Sequence, residues 1–434
     1  MAHIFHTEIV VVGSGPGGAT IAREMARRGR RVMILERGGD HRQRFYYGTY
    51  LGALRYADHG SLLYTREGMQ IIRPLMVGGA TSMYCGCAAL PPDWLHSRYG
   101  IDIHAEVAET IAELSVAPLP AGLRGTASTR IAEAGQALGY AWKPQLKLMS
   151  PAANAPFPCS ANCMLGCRCG AKWNAGSYVD QAVAAGATLI TAAQVTRVVR
   201  NGRRVLGVEG RINGEPLLVT ADTVVLAAGG IGTPRIMQAS GFTNAGQGLT
   251  VDSTLMVYGI TSEPGIGSEP PMTWQWHGPN DEFLLSTLID PWLMYPLAVA
   301  QTGLAHTTSW AQWANMLGVM IKIKDDLAGR VQQRSISKPT TRDDRERIEQ
   351  AQQIARKILK EAGAQPNSMV ATALRGTHPA STVRIGTLVD QQLQTELDGL
   401  YVCDASVFPE ALARPTVLTI VGLGKRLAKH LTRT

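Results

Sequence analysis

The sequence predicts an α/β fold: a doubly wound sheet assembled from both chain ends, with a second, α+β unit built on antiparallel sheet. Three observations carry this expectation. A glycine-rich turn, Gly13-x-Gly15-x-x-Gly18, lies between an apolar run and a helical run. Two Asn-Gly dipeptides separate strand-like runs in the middle of the chain. Beyond residue 245 the residue pattern changes, and the pattern of the N-terminal part returns near residue 378.

Taken in order, Glu8–Val12 is a short apolar run, followed by Gly13-Ser14-Gly15-Pro16-Gly17-Gly18. Helical spacing covers Ala19–Arg28, with Ile21, Ala22, Met25 and Ala26 on one face and Gly29 as the stop. Arg31–Glu36 reads as the next strand, which completes a β-turn-α-turn-β unit. Gln194–Arg200 and Arg203–Arg211 are strand-like and joined by Asn201-Gly202, and Asn213-Gly214 leads into Pro216–Thr220. Asn-Gly suits the positive φ of a two-residue hairpin, so these runs form an antiparallel meander. Thr223–Ala228 is a further apolar strand ending in Gly229-Gly230. A meander placed before such a strand is usual in FAD-binding folds and unusual in plain NAD domains.

The stretch from about 245 to 375 holds five of the eight tryptophans. Within it, Asp343–Ala362 reads as an amphipathic helix with Ile348, Ala351, Ile354, Ala355 and Ile358 on one face. A strand at Leu400–Asp404 and a helix at Thr416–Leu431 return to the first unit. The expected division is 1–244 with 378–434 for the dinucleotide-binding unit, including a Cys-rich loop at 159–172, and 245–377 for a substrate-binding unit.

At 434 residues the chain is long for one core, which agrees with two units. A composition of 45% hydrophobic and 18% charged residues is that of a globular protein. The net charge of +8 is scattered, and without a run of Lys and Arg a nucleic-acid partner is not expected. Met1–Thr7 has no room for a secretory signal before the first strand, so cytoplasmic residence is the expectation. Pro291–Ile321 contains no acidic residue, Lys or Arg, but Pro291, Pro296, Gln301, Gly303, His306, Gln312 and Asn315 make it a poor membrane span. It is expected as buried structure of the substrate-binding unit.

The glycine turn has a physical logic. Gly13 makes the tight turn, Gly15 lets the backbone approach a pyrophosphate, and Gly18 permits close helix–strand packing, as in a Rossmann-type site. Glu36, twenty-three residues after Gly13, can accept hydrogen bonds from ribose hydroxyls.

With these elements in place, the chain resembles the glucose–methanol–choline (GMC) oxidoreductases over nearly its whole length, with a shortened substrate unit. Val77-Gly78-Gly79-Ala80-Thr81-Ser82 resembles the family's flavin loop, and Gly229-Gly230-Ile231-Gly232-Thr233-Pro234 with Ser240-Gly241 resembles its second signature. His378-Pro379-Ala380-Ser381-Thr382 and Asp404-Ala405-Ser406-Val407-Phe408-Pro409 resemble its C-terminal active-site and FAD-contact segments. The resemblance implies FAD as cofactor, with Arg37, Gly78, Gly79, Ser82, Val195, Gly229, Asp404, Ala405, Pro415 and Thr416 joining Gly13, Gly15, Gly18 and Glu36 around it. It also implies that a small alcohol loses its hydroxyl proton to His378 and its hydride to flavin N5.

Two departures stand out. Arg414 occupies a position where the family commonly has Asn, which suggests a pinned anion or a contact with reduced flavin. Met83 lies near the position where some relatives attach FAD through a His, so non-covalent FAD is expected.

Cys159, Cys163, Cys167 and Cys169 fall within eleven residues and resemble the cysteine-bearing stretch of GMC dehydrogenases and long-chain alcohol oxidases. An iron–sulfur cluster passing electrons to an external protein or quinone is the first reading; zinc, disulfides or free thiols are the alternatives. Two rival functions differ in class. A thiol reductase would need a second dinucleotide fingerprint, which the sequence lacks, and a flavin-holding scaffold would carry structural zinc in place of a redox cluster.

Overall fold

The strand His3–Val12, whose second half is buried, runs parallel to Val32–Leu35 on one side and to Glu215–Leu226 on the other. The computed structural model describes residues 3–151, 159–265, 269–287, 290–293, 295 and 312–433. The full order of this first sheet is Thr188–Ile190, Val32–Leu35, His3–Val12, Glu215–Leu226, Arg204–Ile212 and Ala193–Asn201, with Leu400–Val402 pairing parallel to Glu215–Leu226. Both chain ends therefore build it, as the sequence predicts.

The Asn-Gly hairpin is present. Asn213 (φ 49°) and Gly214 (φ 89°) both take positive φ and join Arg204–Ile212 to Glu215–Leu226. The two runs expected at Pro216–Thr220 and Thr223–Ala228 are one continuous strand. Ala221 and Asp222 between them include no Gly or Pro, and the parallel ladder to His3–Val12 passes straight through Thr7↔Ala221.

The helix Pro16–Ala26 starts with proline in its first turn and packs on Val417–Leu431, where Gly424 comes close to Thr20. Arg23, Glu113 and Lys425 tie these two helices to His104–Glu113 through ion pairs.

The second large sheet is mostly antiparallel, in the order Gln70–Ile71, Arg375–Gly376, Ser253–Ile260, Met316–Ile323, Phe283–Thr287, Trp274–His277 and Lys143–Pro144. Its central strands are buried on both faces. The helix Arg342–Glu361 covers one of them with Ala351, Ala355, Ile358 and Leu359, and starts in a capping box made by Thr341 and Asp344. Within 291–321, residues 294 and 296–311 lie outside the described residues, while Met316–Ile321 is buried strand. Among the described residues no helix is long and apolar enough to cross a membrane.

Candidate active site

A cavity of about 570 Å³ lies where the two sheets meet, and the glycine turn forms part of its wall. A Cβ on Gly13 would meet the Ala227 carbonyl oxygen at 2.3 Å, and one on Gly18 would meet that of Gly13 at 2.1 Å. Gly15 has nothing within 4 Å on that side, which leaves its backbone open to a ligand. Glu36 is fixed at this wall: Oε2 accepts from the Ser14 N–H (3.0 Å) and hydroxyl (2.6 Å), and Oε1 accepts from the Gly38 N–H (2.7 Å). Arg37, Arg73 and Arg235 bring guanidinium groups to the same cavity.

Eleven of the residues expected around a cofactor line the cavity: Gly13, Gly15, Glu36, Arg37, Gly79, Val195, Gly229, Asp404, Ala405, Pro415 and Thr416. Gly18, Gly78 and Ser82 do not. Gly18 serves helix–strand packing, and Ser82 shapes the loop by donating to the Val77 carbonyl at 3.1 Å. Asp404 bridges the chain ends, because its carboxylate accepts from the Gly229 N–H, the Thr233 hydroxyl and the Ser406 N–H. Burial pushes this carboxyl above its ordinary value. Met83 lines the cavity as well.

His378 stands in the same cavity. Its Nδ1 lies 2.8 Å from Oδ2 of Asp252, which leaves Nε2 as the ring nitrogen for a ligand. About 27% of the imidazole surface is accessible. Burial first, then the nearby Lys322 ammonium, holds this imidazole below its ordinary value against the opposing pull of Asp252.

Arg414 points elsewhere and does not line the cavity. Its Nη2 is 2.5 Å from Oδ2 of Asp281, and its other donors reach the carbonyls of Leu90 and Leu412. The residue is 9% exposed, and its charge is met by a carboxylate.

The four clustered thiols form a sequence of contacts. Cys167 Sγ lies 3.6 Å from that of Cys169, and the Cys163 thiol is near enough to Cys159 and Cys167 to shift both. The Cys163 contact lowers the Cys159 thiol and raises that of Cys167. The series runs from buried Cys159 to exposed Cys169. Lys172 links it to the cavity wall, because Nζ donates to the carbonyls of both Cys163 and cavity-lining Tyr84.

Residues 58–268 and 330–424 match the two profiles described as GMC oxidoreductase, and residues 11–66 match an NAD(P)-binding Rossmann-like domain. The chain belongs to the GMC oxidoreductase family. An uncharacterized GMC-type oxidoreductase of Mycobacterium tuberculosis is 29% identical over 280 residues, which cover 59% of this chain and 43% of that one. The chain thus spans less than half the length of that relative. A long-chain-alcohol oxidase of Arabidopsis thaliana is 23% identical over 95% of this chain and 65% of its own length. In fold, the chain is similar to pyridoxine 4-oxidase from Mesorbium loti, with a TM-score of 0.74, 16% identity and 99% of each chain covered.

This GMC oxidoreductase also places at the cavity residues that sequence reasoning passed over: Thr254, Lys322, Arg375 and Thr377. Asp252, behind His378, was missed too. None belongs to a local motif. Thr254, Lys322 and Arg375 reach the site through long-range strand pairing, a signal that a single sequence does not carry, and Asp252 and Thr377 flank those strands.

Proposed function

We propose that the chain is an FAD-dependent oxidoreductase acting on the CH–OH group of a small alcohol, with His378 as the base. One observation carries this reading: His378, paired with Asp252, and residues 13–17 of the glycine turn line one cavity. The residues fit FAD. Gly15 offers open backbone, the N-terminus of helix Pro16–Ala26 and the cavity-lining Arg37, Arg73 and Arg235 suit a pyrophosphate, and Glu36 and Val195 would hold the adenosine. Bound FAD supplies the hydride acceptor. Asp252 fixes the imidazole tautomer so that Nε2 takes the hydroxyl proton, and its carboxylate steadies the imidazolium that results.

We further read the protein as a dehydrogenase with an iron–sulfur cluster on Cys159, Cys163, Cys167 and Cys169. A single tetrahedral zinc would hold its sulfurs roughly 3.8 Å apart, from a Zn–S distance of about 2.3 Å. The four thiols are strung instead from buried Cys159 and Cys163 through Cys167 to exposed Cys169. A cluster there would carry electrons singly to a protein or quinone.

Titrating anaerobic, purified protein with a panel of alcohols tests the first reading, and flavin bleaching is expected. A protein unable to hold FAD, or a flavin that no alcohol bleaches, overturns it. Iron at about three or four atoms per chain is expected after anaerobic preparation. Iron below about half an atom after reconstitution removes the cluster and leaves an oxygen-using oxidase.

A further inference from the structure

Strand register places a row of polar groups on the cavity face of the second sheet. Thr254 pairs with Lys322 on one neighbouring strand and with Arg375 on the other. Side chains at paired positions share a face, and all three line the cavity with His378. The row holds two buried cations, since Lys322 is 4% exposed and Arg375 6%.

Among the described residues Lys322 makes no direct ion pair, and burial works against its charge while the more distant Asp252 and Asp325 carboxylates favour it. Its Nζ contacts the hydroxyls of Thr254 (3.0 Å) and Thr377 (2.5 Å) and the Asp252 carbonyl (3.5 Å). All three are uncharged oxygens. The Asp252 carboxylate itself is engaged by His378 and by the Ala413 N–H. Arg375 meets Oδ1 of Asp290 at 2.7 Å, while its Nε has no hydrogen-bond partner among the described residues. Burying an ammonium with only neutral acceptors is costly, and an anion arriving in the cavity relieves that cost.

We propose that this end of the cavity is an anion site and that the substrate is an alcohol bearing a carboxylate, held by Lys322 with Arg375 beside it. The proposal rests on the CH–OH reading and names its substrate class. One ammonium without a direct ion pair among the described residues, beside a guanidinium already paired with Asp290, matches a singly charged group better than a phosphate dianion.

The base gains from the same contact. The charged groups around His378 are Asp252 and Lys322, and those around Lys322 are Asp252, Asp325 and Arg375, with the Cys85 thiol nearby. Lys322 opposes proton uptake by His378. A carboxylate resting on Lys322 cancels that opposition, so substrate binding itself readies the base. An uncharged alcohol lacks this effect.

The test uses FAD-loaded protein and matched pairs of probes, hydroxycarboxylates and their methyl esters. Dissociation constants come from anaerobic flavin reduction. The acid is expected to bind roughly ten- to a hundredfold more tightly than its ester, the usual worth of a hydrogen bond to a charged group. Lys322→Met should bring that ratio to about one, and Lys322→Arg should keep most of it. Esters that bind the unaltered protein as tightly as their acids overturn the proposal, and so does a Lys322→Met variant that retains the ratio. If no alcohol of either kind bleaches the flavin, the CH–OH reading falls, and calorimetry with acetate decides the anion site alone. Acetate binding that is lost in Lys322→Met then supports the site, and no binding to the unaltered protein overturns it.

Discussion

Oδ2 of Asp252 lies 2.8 Å from Nδ1 of His378, and Oδ1 of the same carboxylate accepts the Ala413 N–H at 3.1 Å. The first contact selects the imidazole tautomer, and the second anchors the carboxylate to the C-terminal segment. His378→Ala should retain FAD and slow flavin reduction by about two to four orders of magnitude. Asp252→Asn should cost about one to two, the worth of a group that orients another. The double variant should be no slower than His378→Ala, because the two side chains act as one unit. Additive losses in stopped-flow reduction would separate their roles.

The pH dependence has a definite sign. In the proposed reaction the neutral imidazole is the base, and its folded value is depressed below 6.5. The active form is therefore present above the depressed value and is lost as pH falls through it. The acid limb of kcat/KM should lie below pH 6.5, and Lys322→Met should move it upward. A limb above 6.5 in the unaltered enzyme would contradict the electrostatics of the site.

Arg414 is tied to Asp281, whose carboxyl is held down at about 2 by His277 and then by Arg414, against burial. The guanidinium thus braces a loop against the active-site segment. Arg414→Asn should weaken the reaction of acidic and neutral alcohols to the same extent. A selective loss on acidic alcohols would return Arg414 to substrate binding.

Glu36 ties the glycine turn at Ser14 to the segment that follows the strand Val32–Leu35 at Gly38. Glu36→Ala should lower FAD affinity by about tenfold or more. Heat or acid should free the flavin from either protein. Flavin that stays with the denatured polypeptide would establish a covalent link.

Glu113 joins Arg23 and Lys425, both 1% exposed, across three helices. Burial pushes the Glu113 carboxyl upward, but hydrogen bonds from Arg23 and Lys425 overcome it and hold the group at about 2. Its depressed value means that the stabilisation is present above the unfolded value of 4.5 and lost as pH falls toward 2. Glu113→Gln should cost about 1–2 kcal/mol at neutral pH, because each buried cation loses one of its two carboxylates while Arg23 keeps Glu24 and Lys425 keeps Glu109. Urea denaturation at pH 7 measures this, and the difference from the unaltered protein should shrink in acid.

The first sheet was legible because its signals are local. Gly13–Gly18 and Asn213-Gly214 dictate their own backbone, whatever lies elsewhere. Glu36 could be found by counting along the chain. The far side of the cavity was not legible. Lys322 and Thr254 are 68 residues apart and meet only through the register of two strands. Arg414 shows the converse: a residue in a suggestive sequence position whose side chain turns away toward Asp281. Sequence located the motif, and register decided which charges face the ligand.

The parallel pairing of Leu400–Val402 with Glu215–Leu226 bears on the order of events at the ribosome. The Cys403 carbonyl closes against Gly17, and Asp404 reaches back to Gly229, so this wall of the cavity exists only once residues 400–404 are made. The glycine turn emerges long before the segment that completes its site. Cofactor capture is therefore a late event that coincides with closure of the fold, and a nascent chain stalled before residue 400 has an open sheet edge in place of a site.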